Sequence, residues 1–212
     1  MLKLVRLFFP VLLLSLLISH RAVIVGRAVD KSELLKPYLS CKSDDGLYVK
    51  EVTQRSKSAE NYRTVRTAGG EKKVSVVDGY RVMFAYEKAH YFFANVKIEQ
   101  SKVQEYASDK EAIIESIKYL PFYENVPAKM VYRGKSDFNG YEVYGADMDV
   151  IDKGGVLGIY VIFSNTDNVI VTVYFLNQGR EHRRFSKIEE FRSLRDNFLN
   201  RYTRCINEAK DR

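Results

Sequence analysis

The chain has 212 residues, of which 46% are hydrophobic and 29% are charged, and these ordinary values exclude a disordered or collagen-like chain. Four prolines and twelve glycines form no low-complexity linker, so the composition favours one globular domain. The net charge of +7 is unevenly distributed, because four of the 34 basic residues fall in residues 1–28, which contain no acid. The rest of the chain carries 30 basic against 27 acidic side chains, and this balance argues against nucleic acid as a partner.

Residues 1–28 have the pattern of a secretory signal peptide. Two basic residues precede an apolar run of 12 residues, 7–18, which is too short to span a bilayer. Small residues at the positions that signal peptidase reads favour cleavage after Ala28. The alternative is an uncleaved membrane anchor that continues past Arg21, at the cost of burying that charge. We therefore expect a secreted or periplasmic protein with no membrane span after cleavage.

The domain is expected over residues 47–212, after a lead-in segment at residues 29–46 that includes a short helix. Its first half contains five strand-like runs: Leu47–Gln54, Tyr62–Thr67, Lys73–Val77, Tyr80–Tyr86 and Tyr91–Glu99. Asp78-Gly79 separates the third run from the fourth. This pair favours a hairpin turn there, because a type I′ turn needs positive φ at both central residues.

A helix is predicted from Ser101 to Leu120. Ser101 and Ser108 are each followed three residues later by Gln or Glu, which fits the capping box at a helix N-terminus. An apolar stripe at helical spacing would face the core: Val103, Tyr106, Ile113, Ile117 and Leu120.

The second half has four strand-like runs and a C-terminal helix. The runs are Lys129–Arg133, Tyr141–Asp147, Val156–Phe163 and Val169–Leu176, with Asn139-Gly140 joining the first two. The last two are apolar at consecutive positions, so both of their faces should be covered. The helix should be capped by Ser186 and present its apolar stripe to the core, with its arginines solvated.

These elements predict an α+β fold, with a largely antiparallel sheet flanked by two long amphipathic helices. The order of elements over residues 47–207 resembles that of the PsbP-like α/β/α sandwiches, a family of exported proteins. The resemblance implies a non-catalytic accessory or binding module. It rests on no motif, so it assigns no functional residue.

No pattern in the sequence indicates a catalytic site, a cofactor or a metal centre. The three histidines, His20, His90 and His182, do not occur at metal-ligand spacing, and nucleophile and phosphate-loop motifs do not occur. The leading function is therefore an exported, non-catalytic binding or accessory domain of the cell envelope. The alternatives are a hydrolase or transferase assembled from scattered residues that include His90 and His182, and a self-associating structural protein.

Two weaker patterns also have simpler interpretations. Asp147, Asp149 and Asp152 could present oxygens to calcium, but their spacing departs from the calcium loop, and a solvated turn is favoured. Four aromatic residues on the last two strands fit either a ligand cavity or plain core, and core is favoured: Tyr160, Phe163, Tyr174 and Phe175.

A basic cluster before the C-terminal helix is the candidate binding site. It consists of Arg180, His182, Arg183 and Arg184, beside a helix N-terminus that would add unpaired N–H groups. The cluster would bind a phosphate, a carboxylate or an acidic protein partner. The simpler interpretation, a solvated charged loop that Glu181 partly neutralises, is favoured.

The only two cysteines, Cys41 and Cys205, are predicted to form a disulfide. Export would place them in an oxidising compartment, where paired thiols persist as disulfides. Cys205 lies on the apolar stripe of the C-terminal helix, so its sulfur should face the domain. The bond would join the two ends of the mature chain and have a purely structural role.

Overall fold

The computed structural model describes residues 33–41, 47–54, 62–86, 92–120, 130–151, 155–177 and 185–212. The helices are a 3₁₀ turn at Glu33–Leu35, α1 (Lys36–Ser40), α2 (Tyr106–Tyr119) and α3 (Ile188–Lys210). The strands are β1 (Leu47–Gln54), β2 (Tyr62–Thr67), β3 (Gly70–Ser75), β4 (Asp78–Tyr86), β5 (Phe92–Gln100), β6 (Met130–Phe138), β7 (Tyr141–Met148), β8 (Gly155–Ser164) and β9 (Val169–Asn177). The predicted signal peptide lies outside the described residues.

Seven strands form one antiparallel sheet in the order β1-β4-β5-β9-β8-β7-β6, and β2 and β3 form a separate hairpin. The central β5–β9 pair brings together strands from the two halves of the chain. The α+β class and the largely antiparallel sheet are confirmed. The expectation of two long helices is not, because α3 has 23 residues and α2 only 14.

Both faces of the sheet are packed. One face, which we call the α3 face, packs against α1 and α3, and its apolar core includes Leu157, Phe175, Phe191 and Phe198. The other, the α2 face, packs against α2 and the β2–β3 hairpin. Successive residues of β8 and β9 alternate between the two cores, which confirms that consecutive apolar residues marked strands covered on both sides.

One of the two predicted hairpin turns is confirmed and the other is wrong. Asn139 and Gly140 join β6 to β7 with φ of 52° and 83°, the positive values that the sequence required. Asp78 and Gly79 do not turn the chain, since β3 pairs with β2 instead of β4. They belong to β4 and pair there with the end of β5.

The predicted N-terminal caps of α2 and α3 are wrong. Helix α2 begins at Tyr106, because the Ser101 hydroxyl donates to the buried carboxylate of Asp109 instead of capping a helix. Asp109 also accepts hydrogen bonds from the backbone N and Oγ of Ser75, at 3.1 and 2.6 Å, and so fastens the β2–β3 hairpin to α2. Val103 precedes the helix and is 68% exposed, outside the predicted stripe.

Helix α3 likewise begins two residues after Ser186, at Ile188. Lys187 occupies its N-cap position and makes no side-chain capping bond. The apolar stripe of α3 nevertheless packs into the core as predicted, with Phe191, Phe198 and Tyr202 buried. The hydrophobic periodicity thus located the helix but not its first residue.

The predicted disulfide between Cys41 and Cys205 is confirmed, with the two Cα atoms 5.6 Å apart. It attaches the end of α1 to α3. The same two elements are joined by a hydrogen bond from the Tyr202 hydroxyl to the carbonyl oxygen of Tyr38, at 2.7 Å. The side chains of Leu35 and Tyr38 are buried, so the lead-in segment also contributes to the core.

An ion cluster around Glu142 links α2 to the far end of the sheet. Glu142 accepts hydrogen bonds from Lys110 at 2.7 Å and Asn165 at 3.0 Å, and it pairs with Lys135 at 3.0 Å. These contacts lower the pKa of Glu142 to about 2, and the hydrogen bond from Lys110 has the largest effect. Its side chain is 23% exposed, so water weakens the pairs only in part.

We expect the stability contributed by Glu142 to disappear in acid. Because its folded pKa lies below the unfolded value near 4.5, the contribution is complete above pH 4.5 and is lost as the pH falls towards 2. Urea unfolding of Glu142→Gln should show a loss of about 1 kcal/mol at pH 7 and a smaller loss at pH 3. The control is Glu71→Gln, which breaks an exposed pair with Arg66 and should change little at either pH. A loss for Glu142→Gln that is equal at both pH values would contradict the assignment.

Candidate functional site

A surface cavity of about 290 Å³ lies between α3 and the β6–β8 part of the sheet, and we call it the arginine pocket. Strand β6 contributes Arg133, Ser136 and Phe138, β8 contributes Tyr160, and α3 contributes Arg192, Arg195 and Asp196. Three guanidinium groups from two elements therefore converge on one concave surface. Such convergence of charged groups in a cavity is typical of binding sites.

The guanidinium groups are organised by Asp147, a residue of β7 whose side chain is completely buried. Its Oδ1 accepts hydrogen bonds from Arg133 Nε at 2.6 Å and from Arg192 Nη2 at 3.4 Å. Its Oδ2 accepts from the Tyr160 hydroxyl at 2.6 Å and from Arg195 Nη1. A buried carboxylate is stable only when its charge is compensated in this way, and the compensation positions the cations.

Tyr160 connects the buried carboxylate to α3. Burial raises the pKa of Tyr160 well above its usual range, and this effect outweighs the opposing influence of the Arg195 charge. The hydroxyl therefore keeps its proton and donates a hydrogen bond to Asp147. Arg195 donates a hydrogen bond to the same hydroxyl at 2.6 Å, and its guanidinium carbon lies 4.9 Å from the centre of the Tyr160 ring.

Asp149 lies beside the same arginines but at the surface, with 55% of its side chain exposed. Its Oδ1 accepts hydrogen bonds from Arg133 and, at 3.2 Å, from Arg192. The hydrogen bond from Arg133 is the main reason that the pKa of Asp149 lies below its usual value. Arg133 and Arg192 thus hold one carboxylate in the interior and a second one that reaches solvent.

Two glycines make room for the buried part of the site. Gly145 on β7 pairs with Tyr160 on β8, and Asp147 on β7 pairs with Gly158 on β8. A Cβ atom on Gly145 would lie 2.2 Å from the Tyr160 ring. A Cβ atom on Gly158 would lie 3.2 Å from Cβ of Asp147. The aromatic ring and the carboxylate therefore lie above strand positions that lack side chains.

We expect Gly145→Ala to lower the free energy of unfolding by about 3 kcal/mol. The Tyr160 ring cannot move away from the new methyl group without breaking the hydrogen bonds that join its hydroxyl to Asp147 and Arg195. Urea unfolding measures the loss. The control is Gly69→Ala in the β2–β3 turn, where the nearest atom would be 3.8 Å from the new Cβ, so little change is expected. Equal stability of Gly145→Ala and the wild-type protein would contradict this placement of Tyr160.

The acidic residues considered for calcium have another role. Asp147 is neither a calcium ligand nor part of a solvated turn, since arginines and Tyr160 saturate its buried carboxylate. Asp152 lies outside the described residues. Within the parts of the chain that the structure describes, no group of three or more His, Cys, Asp or Glu side chains is arranged to hold a metal ion.

The expectation that the arginines of α3 are solvated is wrong for two of them. The side chain of Arg195 is only 12% exposed and that of Arg192 is 32% exposed, because both turn towards Asp147. The side chain of Arg204, near the C-terminal end of the same helix, is 56% exposed as expected.

The other sequence-predicted site residues do not belong to this pocket or are not described. The basic cluster Arg180, His182, Arg183 and Arg184 lies outside the described residues, as does His90. The four aromatic residues do not line one cavity, because Phe163 lies on the α2 face and Phe175 on the α3 face. Both are core, as favoured, whereas Tyr174 is half-buried with its hydroxyl 3.1 Å from Lys97 Nζ. Tyr160 alone of the four lines the arginine pocket.

The sequence contained one usable indication of this site. Tyr141, Val143, Gly145 and Asp147 alternate along β7, so the pattern that places Tyr141 and Val143 in the core also places Asp147 there. A carboxylate at an inward position needs cationic partners, and the arginines of α3 were the candidates.

No family model, curated protein or solved structure matches this chain.

Proposed function

We propose that this chain is an exported, non-catalytic binding or accessory domain of the cell envelope. The observation that carries the proposal is the Cys41–Cys205 disulfide, because such bonds form and persist in oxidising compartments. The basic and apolar pattern of residues 1–28 supports the same location. Among the helices of the described residues, none is both long enough and apolar enough to cross a membrane.

The binding part of the proposal rests on the arginine pocket. Its charged groups are held rigidly, since Asp147 is buried and Arg195 is largely so. Each group that shapes the pocket is fixed by β6, β7, β8 or α3, and rigid elements position binding groups well. The site favours binding over catalysis because, among the described residues, the carboxylates at its centre are paired with arginines and Tyr160 keeps its proton.

The proposal includes the PsbP-like α/β/α sandwich as the finer description of the fold. The packing of α3 on one face of the sheet and of α2 on the other supports it. The resemblance implies an accessory role, in which a partner protein or a small anionic ligand is bound without being transformed.

Cell fractionation tests the proposed location. The full chain with a C-terminal tag is expressed in a bacterial host with a periplasm, and a variant that lacks residues 1–28 serves as the control. We expect the full chain in the periplasm or medium, with Val29 as its first residue and with no titratable thiol before reduction. The control should stay in the cytoplasm.

Two results would change the proposal. If the protein is found in the membrane fraction with an intact N-terminus, residues 1–28 act as an uncleaved anchor and not as a cleaved signal peptide. A full-length cytoplasmic protein with two free thiols would contradict export itself.

A further inference from the structure

The arginine pocket has hydrogen-bond donors that the domain itself does not use. A guanidinium group carries five N–H donors. The hydrogen bonds of Arg133 engage Nε and Nη2, and those of Arg192 engage Nη2. Nη1 of Arg133, and Nε and Nη1 of Arg192, have no hydrogen-bond partner among the described residues.

Two wall residues complement these donors, and the wall carboxylate of Asp196 is paired with Arg195. Ser136 is exposed, and its hydroxyl has no partner in the described part of the chain. Phe138 is half-buried against the core of the α3 face and offers an apolar surface beside the charged one. A cavity of about 290 Å³ suits a small molecule and not a peptide strand.

Asp149 shows that two of these arginines bind an oxyanion at the surface. Its carboxylate, attached to an exposed side chain, already lies between Arg133 and Arg192. The same two guanidinium groups line the pocket, and their unused donors can bind the carboxylate or phosphate of another molecule there, since these acids present similar acceptor oxygens. Asp147 differs, because it is buried and does not compete with a ligand at the surface.

We propose that the arginine pocket binds the oxyanion group, carboxylate or phosphate, of a small ligand, which Arg133 and Arg192 hold with the guanidinium donors that the described part of the domain does not use. Ser136 adds a hydrogen bond and Phe138 packs against the apolar part of the ligand. This inference rests on the proposed binding function and names the ligand class of its pocket.

Calorimetric titration of the purified, disulfide-bonded protein tests the inference with two probes, inorganic phosphate and benzoate, at an ionic strength held constant with sodium chloride. We expect saturable binding of at least one probe. Tighter binding of phosphate identifies a phosphate ligand, and tighter binding of benzoate identifies a carboxylate ligand with an apolar body.

Three variants locate the binding. Asp149→Asn removes the competing carboxylate, so it should bind the probe about fivefold more tightly. Arg192→Gln should bind it about tenfold more weakly, since it loses charge-assisted donors. Arg204→Gln is the matched control, because Arg204 lies on the same helix but is exposed and paired only with Glu208 in the described structure. Its affinity should equal that of the wild-type protein.

The outcomes separate this inference from the proposed function. If neither probe binds the wild-type protein or Asp149→Asn, the inference is wrong, while an exported, disulfide-bonded protein would leave the proposed function intact. Unchanged affinity in both Asp149→Asn and Arg192→Gln would also overturn the inference. Should Arg192→Gln fail to fold, the comparison of Asp149→Asn with the wild-type protein decides alone.

Discussion

Removal of the Cys41–Cys205 disulfide is expected to lower the free energy of unfolding by about 4 kcal/mol. The bond joins residues 164 positions apart, so it greatly restricts the unfolded chain. Loop closure alone gives about 5 kcal/mol for such a loop, and real disulfides often contribute less. Urea unfolding of the double variant Cys41→Ala, Cys205→Ala measures the loss, which corresponds to a fall in Tm of about 10 °C.

The dependence of unfolding on urea concentration shows where the effect arises. Without the disulfide the unfolded chain exposes more surface, so the slope m should rise together with the loss of stability. The control is Tyr202→Phe, which removes the hydrogen bond to the Tyr38 carbonyl between the same two elements. It should cost about 1 kcal/mol and leave m unchanged. A double variant as stable as the wild-type protein would show that packing of Leu35 and Tyr38 alone holds the lead-in segment.

Local patterns predicted the strands well because strand formation here follows residues close in sequence. The predicted runs Leu47–Gln54 and Tyr62–Thr67 coincide with β1 and β2. Consecutive apolar residues in β8 and β9 correctly indicated burial on both faces. The prediction of a hairpin at Asp78-Gly79 was wrong because it rested on the turn preference of two residues. The pairing of β3 with β2 depends instead on contacts along the whole strand.

Helix termini and the site were harder to predict for the same reason. Ser101 has the residue type of a helix cap, but in the folded chain its hydroxyl is hydrogen-bonded to Asp109 and Ser75. Asp147 meets Arg192 and Arg195, which are 45 and 48 positions away, only after the helix packs on the sheet. No motif spans such distances, so the sequence offered only the inward position of a carboxylate on β7.

Replacement of Asp147 by asparagine is expected to lower the free energy of unfolding by about 4 kcal/mol, because it leaves three guanidinium groups around a buried site without their shared anion. The amide also places an NH2 donor at one of the two oxygen positions, so that donor would face either Arg133 and Arg192 or Tyr160 and Arg195, which donate there themselves. Urea unfolding of Asp147→Asn measures the loss. The matched control is Asp149→Asn, which removes the same charge from two of these arginines at an exposed position and should change stability little. Equal losses in the two variants would mean that the charge of the cluster matters and the burial of Asp147 does not, and the account of how the arginine pocket is held together would then be wrong.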